Sequence, residues 1–175
     1  YAQAVVAGAK EAGIVAFTGG GAFEKCFFDP LEVAKQYQGW AIPTLKPWEM
    51  EVVKQRITLS EEAGIFALSM DIDGIGMRPN ISDETIKPIV EKSQEDLRDI
   101  VSYTKLPFVA KGIMTVENAI QAAEAGVYGI IVSNHGGRVL EDGLSTAEVL
   151  PEIKKAVGDS MKVFVDGGVR TGSDV

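Results

Sequence analysis

The sequence of 175 residues, 46% of them hydrophobic, is long enough to enclose one apolar core and has no disordered composition. Its formal net charge of −8 disfavours a nucleic acid or an anionic membrane as the main partner. No apolar run approaches the roughly 20 residues of a membrane helix, and no signal peptide is visible. The single cysteine, Cys26, allows neither an internal disulfide nor a metal cluster. We therefore expect one cytoplasmic domain over residues 1–175, with no bound metal.

Helical and strand patterns alternate along the first half of the chain. They predict helices at residues 2–12, 30–37 and about 48–63, and short apolar strands at residues 14–17, 40–43 and 65–69. Pro30 is expected in the first turn of its helix, where a missing N–H leaves no hydrogen bond unmade. A long loop, residues 70–82, follows the third strand.

The alternation continues through the second half. It predicts a helix from Asp83 or Glu84 to Lys105, a strand at 107–110, a helix at 116–125, an apolar strand ending before His135, a helix at 146–157, a strand at 162–165 and a helix beginning near Ser173. Pro88 is expected in the first turns of its helix. Thr115 is the expected N-cap of the following helix, with Asn118 three residues later.

Successive strand–helix units with apolar, β-branched strands predict a parallel sheet with helices packed outside it. An open, doubly wound sheet and a (β/α)8 barrel, or TIM barrel, both fit this pattern. Polar and glycine-rich residues follow at least five of the strands. In an open sheet only a few loops at the switch point serve the ligand, whereas in a barrel all loops converge on one mouth. The distribution therefore favours the barrel.

The expected barrel is incomplete. A full barrel needs about 250 residues, and only about six strand–helix units are found here. The sequence starts within a helix and stops at the start of another, so we expect the first and last units to be absent from it. Six parallel strands alone would leave two unpaired edges.

Residues 129–138 carry the most informative chemistry. A short apolar strand ends in a loop with the only histidine of the chain, His135, between glycines and Arg138. Glycines let the backbone approach a ligand closely, and the guanidinium of Arg138 suits a carboxylate. A base and a carboxylate-binding group at one strand tip indicate chemistry on a small organic acid.

Two longer motifs resemble a known family. The tract at 133–138 (SNHGGR) is followed by DGGVRTGSDV at 166–175, and VAKG lies upstream at 109–112. This arrangement resembles the FMN-dependent α-hydroxy-acid oxidases and dehydrogenases, which include glycolate oxidase and lactate oxidase. The resemblance covers nearly the whole chain and implies FMN as cofactor, a small L-2-hydroxy acid as substrate and a homo-oligomer, commonly a tetramer.

The resemblance implies catalytic and substrate-binding roles for four residues. His135 would be the base that removes a proton from the α-carbon or the hydroxyl of the substrate, and its ordinary pKa near 6.5 suits that task. Asp71 matches the aspartate that pairs with this histidine. Arg138 and Arg78 match the two arginines that hold the substrate carboxylate.

Further residues match the cofactor site of the family. Lys111 matches the lysine beside flavin N1 and O2, where a positive charge stabilises the anionic reduced flavin. The matches to the ribityl and phosphate contacts are Asp166, Gly167, Gly168 and Arg170. Ser69 and Ser133 match positions beside the flavin, and residues 18–21 fall where the family places a serine near it.

The sequence also departs from the family. Its oxidases usually carry Gln-x-Tyr on the third barrel strand, and the matching stretch here, residues 40–46, has neither residue but contains Lys46. Two alternatives therefore stay open. One is another flavin- or phosphate-binding barrel enzyme, such as a type 2 isopentenyl diphosphate isomerase or a relative of IMP dehydrogenase. The other is a flavin-binding protein without catalytic activity.

Overall fold

The computed structural model describes residues 1–21, 23–77 and 87–174, in which six helices alternate with six strands. The helices are Ala2–Glu11 (α1), Lys25–Gln36 (α2), Met50–Glu62 (α3), Gln94–Tyr103 (α4), Val116–Glu124 (α5) and Thr146–Val157 (α6). The strands are Ala16–Thr18 (β1), Ala41–Leu45 (β2), Leu68–Asp71 (β3), Phe108–Ile113 (β4), Gly129–Val132 (β5) and Lys162–Val165 (β6). Across the described ranges, every helix is too short or too polar to cross a membrane.

The six strands form one parallel sheet in chain order, and each strand pairs with the next. An open, doubly wound sheet reverses its strand order at a switch point, and no such reversal occurs between β1 and β6. Adding each strand on the same side of the previous one, with a helix between them, is the progression of a (β/α)8 barrel. The predicted barrel is therefore confirmed over six of its units, and the open-sheet alternative is wrong.

Alternation along the strands separates a helix-facing side from an inner side. The residues that join the main hydrophobic core include Leu45, Leu68, Met70, Ala110 and Ile130, which pack with buried residues of the helices such as Val53, Ile57, Ala119, Ala122 and Ile153. The residues between them, such as Thr44, Ser69, Val109 and Ile131, are buried but outside that core. Because successive side chains of a strand point to opposite faces, these residues face the barrel interior.

Asp83 and Glu84, the predicted start of the long helix, lie outside the described residues. Residues 87–93 are not helical, and α4 begins at Gln94. Ile89 forms an antiparallel bridge with Trp48, and the N–H of Val90 donates to the carbonyl oxygen of Pro47 at 2.7 Å. The helix then starts at a capping box, in which Ser93 and Asp96 each accept from the other's backbone N–H. The prediction of one helix that continues through residues 87–93 is therefore wrong.

Helix α2 starts at Lys25, so Pro30 lies inside it rather than in its first turn. A proline there removes one intrahelical hydrogen bond, and tertiary packing offsets the loss. Phe27 is 3% exposed, and the guanidinium of Arg56 lies 5.1 Å from its ring centroid. Arg56 also donates to Glu24, just before the helix, at 2.8 Å. The predicted position of Pro30 is wrong because this packing was not visible in the local pattern.

Two smaller expectations concern helix ends. The Thr115 side chain accepts from the backbone N–H of Asn118, so the predicted N-cap of α5 is confirmed. Near Ser173 the structure has a short 3-10 turn, Gly172–Asp174, where the sequence predicts the start of a helix.

Gly39 and Gly13 provide a test of backbone packing, because both have a positive φ (73° and 71°). A β-carbon at Gly39 would overlap the carbonyl oxygen of Gly64, whereas at Gly13 no heavy atom lies within 4 Å. We expect Gly13→Ala to cost about 1–2 kcal/mol of unfolding free energy from its left-handed backbone alone. Gly39→Ala should cost about 1–3 kcal/mol more, because the backbone must move. Urea denaturation followed by circular dichroism measures both, and equal costs would contradict the close approach of Gly39 to Gly64.

Candidate active site

Three charged side chains form a row across the carboxyl ends of β2, β3 and β4. Asp71, the last residue of β3, is the register partner of Lys111 in β4, and Lys46 follows Leu45, the partner of Met70. Neighbouring residues in register point to the same face of a parallel sheet. Lys46 Nζ therefore reaches Asp71 Oδ2 at 2.7 Å, and Lys111 Nζ lies 3.5 Å from Asp71 Oδ1.

His135 enters this row from the loop that follows β5. The Asn134 side chain accepts from the backbone N–H groups of Gly136 and Gly137 at 3.0 and 3.3 Å, which closes a tight turn. His135 has a φ of 54°, an unfavourable backbone conformation for a residue with a side chain. Such strain persists where the surroundings fix the residue, and here it directs the imidazole toward the ends of β3 and β4.

The imidazole of His135 lies between two carboxylates. Its Nδ1 is 2.7 Å from Asp73 Oδ2, and its Nε2 is 3.3 Å from Asp71 Oδ1. The His135 side chain is 7% exposed, and those of Asp71 and Asp73 are 7% and 12% exposed. With little water nearby to screen these charges, the carboxylates strongly favour the protonated ring.

The environment changes the proton affinity of both partners. Burial alone would raise the pKa of Asp71, but the contact with His135 and the ammonium groups of Lys46 and Lys111 lower it well below its ordinary value. The contacts with Asp71 and then Asp73 raise the pKa of His135, against the opposing effect of burial. Asp71 is therefore a fixed anion, and His135 binds a proton more tightly than a free histidine.

Lys111 connects this cluster to the ends of β5 and β6. Its Nζ donates to the hydroxyl of fully buried Ser133 at 2.9 Å and lies 3.4 Å from Asp166 Oδ2. Asp166 follows β6, and its backbone N–H continues the pairing with β5 by donating to Val132. The ends of β3, β4, β5 and β6 thus surround one ammonium group.

The loop after β6 forms a cradle of donors. The backbone N–H groups of Arg170 and Thr171 and the hydroxyl of Thr171 all donate to one oxygen, Asp174 Oδ2, at 2.9, 2.7 and 3.1 Å. Gly167 and Gly168, which begin the loop, have φ values of 97° and 84° that favour glycine. A phosphate oxygen suits the same donors, but here Asp174 occupies them, so an anionic ligand would bind them only in place of the Asp174 carboxylate.

The remaining predicted residues lie in different surroundings. Arg138 is exposed, and its Nε donates to the carbonyl oxygen of His135 at 3.0 Å, which keeps its guanidinium beside the histidine loop. Ser69 is fully buried on the inner side of β3, with its hydroxyl 2.7 Å from that of Thr44. Arg78 lies outside the described residues.

Asp73 was not among the site residues predicted from the sequence. One signal was available, because Asp71 and Asp73 are separated by one residue and would share a face if β3 continued. The strand ends at Asp71, and the 3-10 turn Ile72–Met77 brings Asp73 to His135. The ion pair between Lys46 and Asp71 was also not predicted, since it depends on the register between β2 and β3.

One atom from each of Asp71, Asp73 and His135 lies within 4.8 Å of the others, a spacing that also suits a metal ion. Lys46 and Lys111 already supply positive charge to Asp71. A cation at this point would be repelled by both ammonium groups. We therefore interpret the cluster as an ion-pair network.

The chain is similar in sequence to known proteins. Residues 77–175, more than half of the chain, match the sequence profile of the family described as FMN-dependent dehydrogenase. The chain is 43% identical over 95 residues to 4-hydroxymandelate oxidase of Amycolatopsis orientalis, which is 54% of this chain and 27% of the relative. It is 38% identical over 138 residues to L-lactate dehydrogenase of Caulobacter sp. (strain K31), which is 78% of this chain and 33% of the relative. To human 2-hydroxyacid oxidase 1 it is 49% identical over 83 residues, 47% of this chain and 22% of the relative.

The fold has counterparts among solved structures. The crystal structure of mandelate oxidase superposes with a TM-score of 0.80 at 28% identity, over 99% of this chain and 56% of that chain. The chain thus spans a third or less of these curated relatives and about half of the solved structure. The match favours this family over the other barrel enzymes considered above.

The pKa of His135 gives a prediction about stability. Because the folded state raises this pKa above the ordinary 6.5, it binds the proton more tightly than the unfolded state. The resulting stabilisation is fully present below about pH 6.5 and is lost as the pH rises through the folded-state pKa. Urea denaturation between pH 5.5 and 9 should therefore show the wild type losing stability relative to His135→Gln. A difference between the two proteins that does not change with pH would contradict the paired imidazolium.

Proposed function

Because the chain belongs to the FMN-dependent dehydrogenase family, we propose that its protein oxidises a small L-2-hydroxy acid, of the lactate or glycolate kind, to the 2-oxo acid. The observation that carries this proposal is the position of His135 between Asp71 and Asp73, with Lys111 at the neighbouring strand end. A buried base beside a cation is the arrangement that proton removal next to an electron acceptor requires.

His135 is the proposed base. Oxidation of a 2-hydroxy acid removes two protons and two electrons in total, and the two hydrogens come from the α-carbon and the hydroxyl. In either order of removal, one proton goes to the His135 imidazole. The resulting imidazolium is stabilised by Asp71 and Asp73. A raised pKa makes His135 a stronger base and requires a pH high enough for the ring to be neutral before substrate binds.

FMN is the cofactor of the family, and it would supply the two-electron acceptor when bound. The residues present fit its charge. Lys111 places an ammonium group at the centre of the strand ends, where it would stabilise negative charge on a reduced flavin. Ser133, whose hydroxyl accepts from Lys111, keeps that ammonium in place. The donor cradle that begins with Asp166, Gly167 and Gly168 and includes Arg170 would hold the ribityl chain and the phosphate.

Arg138 is the proposed partner of the substrate carboxylate. Its guanidinium is held at the His135 loop through Nε, so a carboxylate bound to it would lie beside the imidazole. Arg78 and Ser69 keep their proposed roles in carboxylate and flavin binding. The names of the relatives include lactate, 2-hydroxyacid and 4-hydroxymandelate enzymes, which supports a 2-hydroxy acid as the substrate class.

A flavin-binding protein without turnover is the second candidate. It is favoured by the absence of Gln-x-Tyr from residues 40–46, where the inner side carries Thr44 and Lys46 instead.

We further propose that the protein is cytoplasmic, supported by its single cysteine, and that it is a homotetramer, supported by the resemblance to the family. Size-exclusion chromatography with light scattering tests the assembly.

Anaerobic absorption spectroscopy tests the proposed function. The protein loaded with FMN should lose its visible flavin absorbance on addition of L-lactate or glycolate. His135→Gln should still bind FMN, because the substitution leaves Lys111 and the donor cradle in place. Its reduction by substrate should be slower by at least about 100-fold, the lower end of the contribution of a positioned base.

Three outcomes separate the candidates. Loss of flavin absorbance with mandelate but not with lactate or glycolate would indicate that the substrate is a larger, aromatic 2-hydroxy acid. A protein that binds FMN but whose absorption spectrum is unchanged by every 2-hydroxy acid would support the non-catalytic candidate. Undiminished reduction in His135→Gln would remove His135 from the mechanism, and photoreduction of the same sample serves as a control that its bound flavin can accept electrons.

A further inference from the structure

Asp73 makes a closer contact with His135 than Asp71 does. Its Oδ2 is 2.7 Å from Nδ1, a short hydrogen bond, whereas Asp71 Oδ1 is 3.3 Å from Nε2. The other oxygen of Asp73, Oδ1, is buried without a hydrogen-bond partner among the described residues. The bond with His135 is therefore the main compensation for placing the Asp73 carboxylate away from water.

The backbone of β4 makes room for this carboxylate. Gly112 has a φ of 97° at a register shift between Lys111 and Ile113. A β-carbon at Gly112 would overlap the carboxyl group of Asp73. The bulge thus gives Asp73 access to the imidazole, which is typical of bulges that direct a side chain next to an active site.

Asp71 is occupied by other partners. Lys46 donates to its Oδ2 at 2.7 Å, and Lys111 lies 3.5 Å from its Oδ1. Asp71 Oδ1 has no hydrogen-bond partner among the described residues, although it is buried. This oxygen lies 3.3 Å from Nε2 of His135 without a hydrogen bond to it, so Asp71 acts on the ring through its negative charge.

We propose that Asp73 is the positioning residue for His135: it holds the proton on Nδ1, so that Nε2 is the atom that accepts the proton from substrate. The kinetic consequence rests on the function proposed above, but the assignment of the tautomer does not. Asp71 and Asp73 then have different tasks. Asp73 fixes the neutral tautomer, and the charge of Asp71 stabilises the imidazolium that forms after proton transfer.

The two contacts make proton transfer directional. In the neutral ring only one nitrogen carries hydrogen, and a buried acceptor left without a donor is costly. The short bond to Asp73 selects the Nδ1–H form and leaves the Nε2 lone pair available. When Nε2 gains a proton from substrate, the Asp71 carboxylate 3.3 Å away stabilises the new positive charge, while Lys46 and Lys111 keep their contacts with that carboxylate.

Nitrogen NMR can test this assignment directly, because His135 is the only histidine of the chain. The protein, purified with a histidine-free tag, is labelled with ¹⁵N-histidine, and long-range ¹H–¹⁵N spectra are recorded as a function of pH. Above the pKa of His135, the wild type should show Nδ1 protonated and Nε2 unprotonated. Finding Nε2–H as the main tautomer of the wild type would overturn the proposal, whatever the variants do.

Two isosteric variants form a matched pair, since each removes one carboxylate charge beside the same ring. Asp73→Asn should lose the preference for Nδ1–H and lower the pKa of His135. Asp71→Asn should also lower that pKa, but should keep the preference for Nδ1–H. An unchanged tautomer in Asp73→Asn, or loss of the preference in Asp71→Asn alone, would overturn the proposal. Thermal melts by circular dichroism verify that both variants are folded.

Flavin reduction separates this inference from the proposed function. With FMN bound, Asp73→Asn should slow reduction by a 2-hydroxy acid about 100-fold with little change in the substrate concentration for half-maximal rate, since Asp73 acts through the base. If the wild type is not reduced at all, the proposed function fails while the tautomer result stands. If the wild type is reduced and Asp73→Asn reacts equally fast, Asp73 has no positioning role.

Discussion

The buried carboxylate of Asp71 is the group on which the arrangement of this site depends. An isolated ionised carboxylate is strongly disfavoured away from water, so it must be paired or protonated. Here Lys46, Lys111 and His135 surround it, and they come from the end of β2, the end of β4 and the loop after β5. Removing the pairing would leave an uncompensated charge inside the barrel. The carboxylate therefore holds three loops together, and the same contacts that stabilise it place the base and the ammonium group side by side.

The parallel barrel makes this possible through register alone. Side chains two residues apart on one strand share a face, and residues in register on neighbouring strands lie next to each other. Ser69 and Asp71 on β3, with Thr44 and Lys46 at β2, follow this rule, and the helix-facing residues between them, Leu45 and Met70, join the core. One face of each strand thus packs in the hydrophobic core, and the other face carries the polar side chains of the site. The polar residues collect at the carboxyl ends because the loops there can contribute further groups, as Asp73 and His135 do.

The sequence predicted the features that depend on local pattern. Apolar periodicity was sufficient for the strand–helix alternation, and the polar residues that follow five of the strands indicated the barrel. Thr115 was recognised as a cap, and the histidine loop stood out because its glycines and its single imidazole are visible without a structure. The predictions were wrong where contacts between residues distant in sequence determine the local structure. Ile89 and Val90 pair with residues 47–48 instead of extending α4, and Arg56 packs on Phe27 in the turn of α2 that precedes Pro30. Asp73 was missed because its contact with His135 spans 62 positions in sequence and depends on a bulge at Gly112.

Lys46 and Asp73 together determine the balance of charge in the site. The stretch that holds Lys46 lacks the Gln-x-Tyr that the resemblance to the family leads one to expect, so an ammonium group lies near the reacting end of the barrel. Alone, that cation would add an unbalanced positive charge beside Lys111, and Asp73 alone would add a second buried anion beside Asp71. With both present and His135 protonated, the ammonium groups of Lys46 and Lys111 and the imidazolium face the carboxylates of Asp71, Asp73 and Asp166. Charges of the two signs are then equal in number, so the protonated ring is the neutral state of the whole cluster. Proton uptake by His135 consequently completes the electrostatic balance of the site instead of disturbing it.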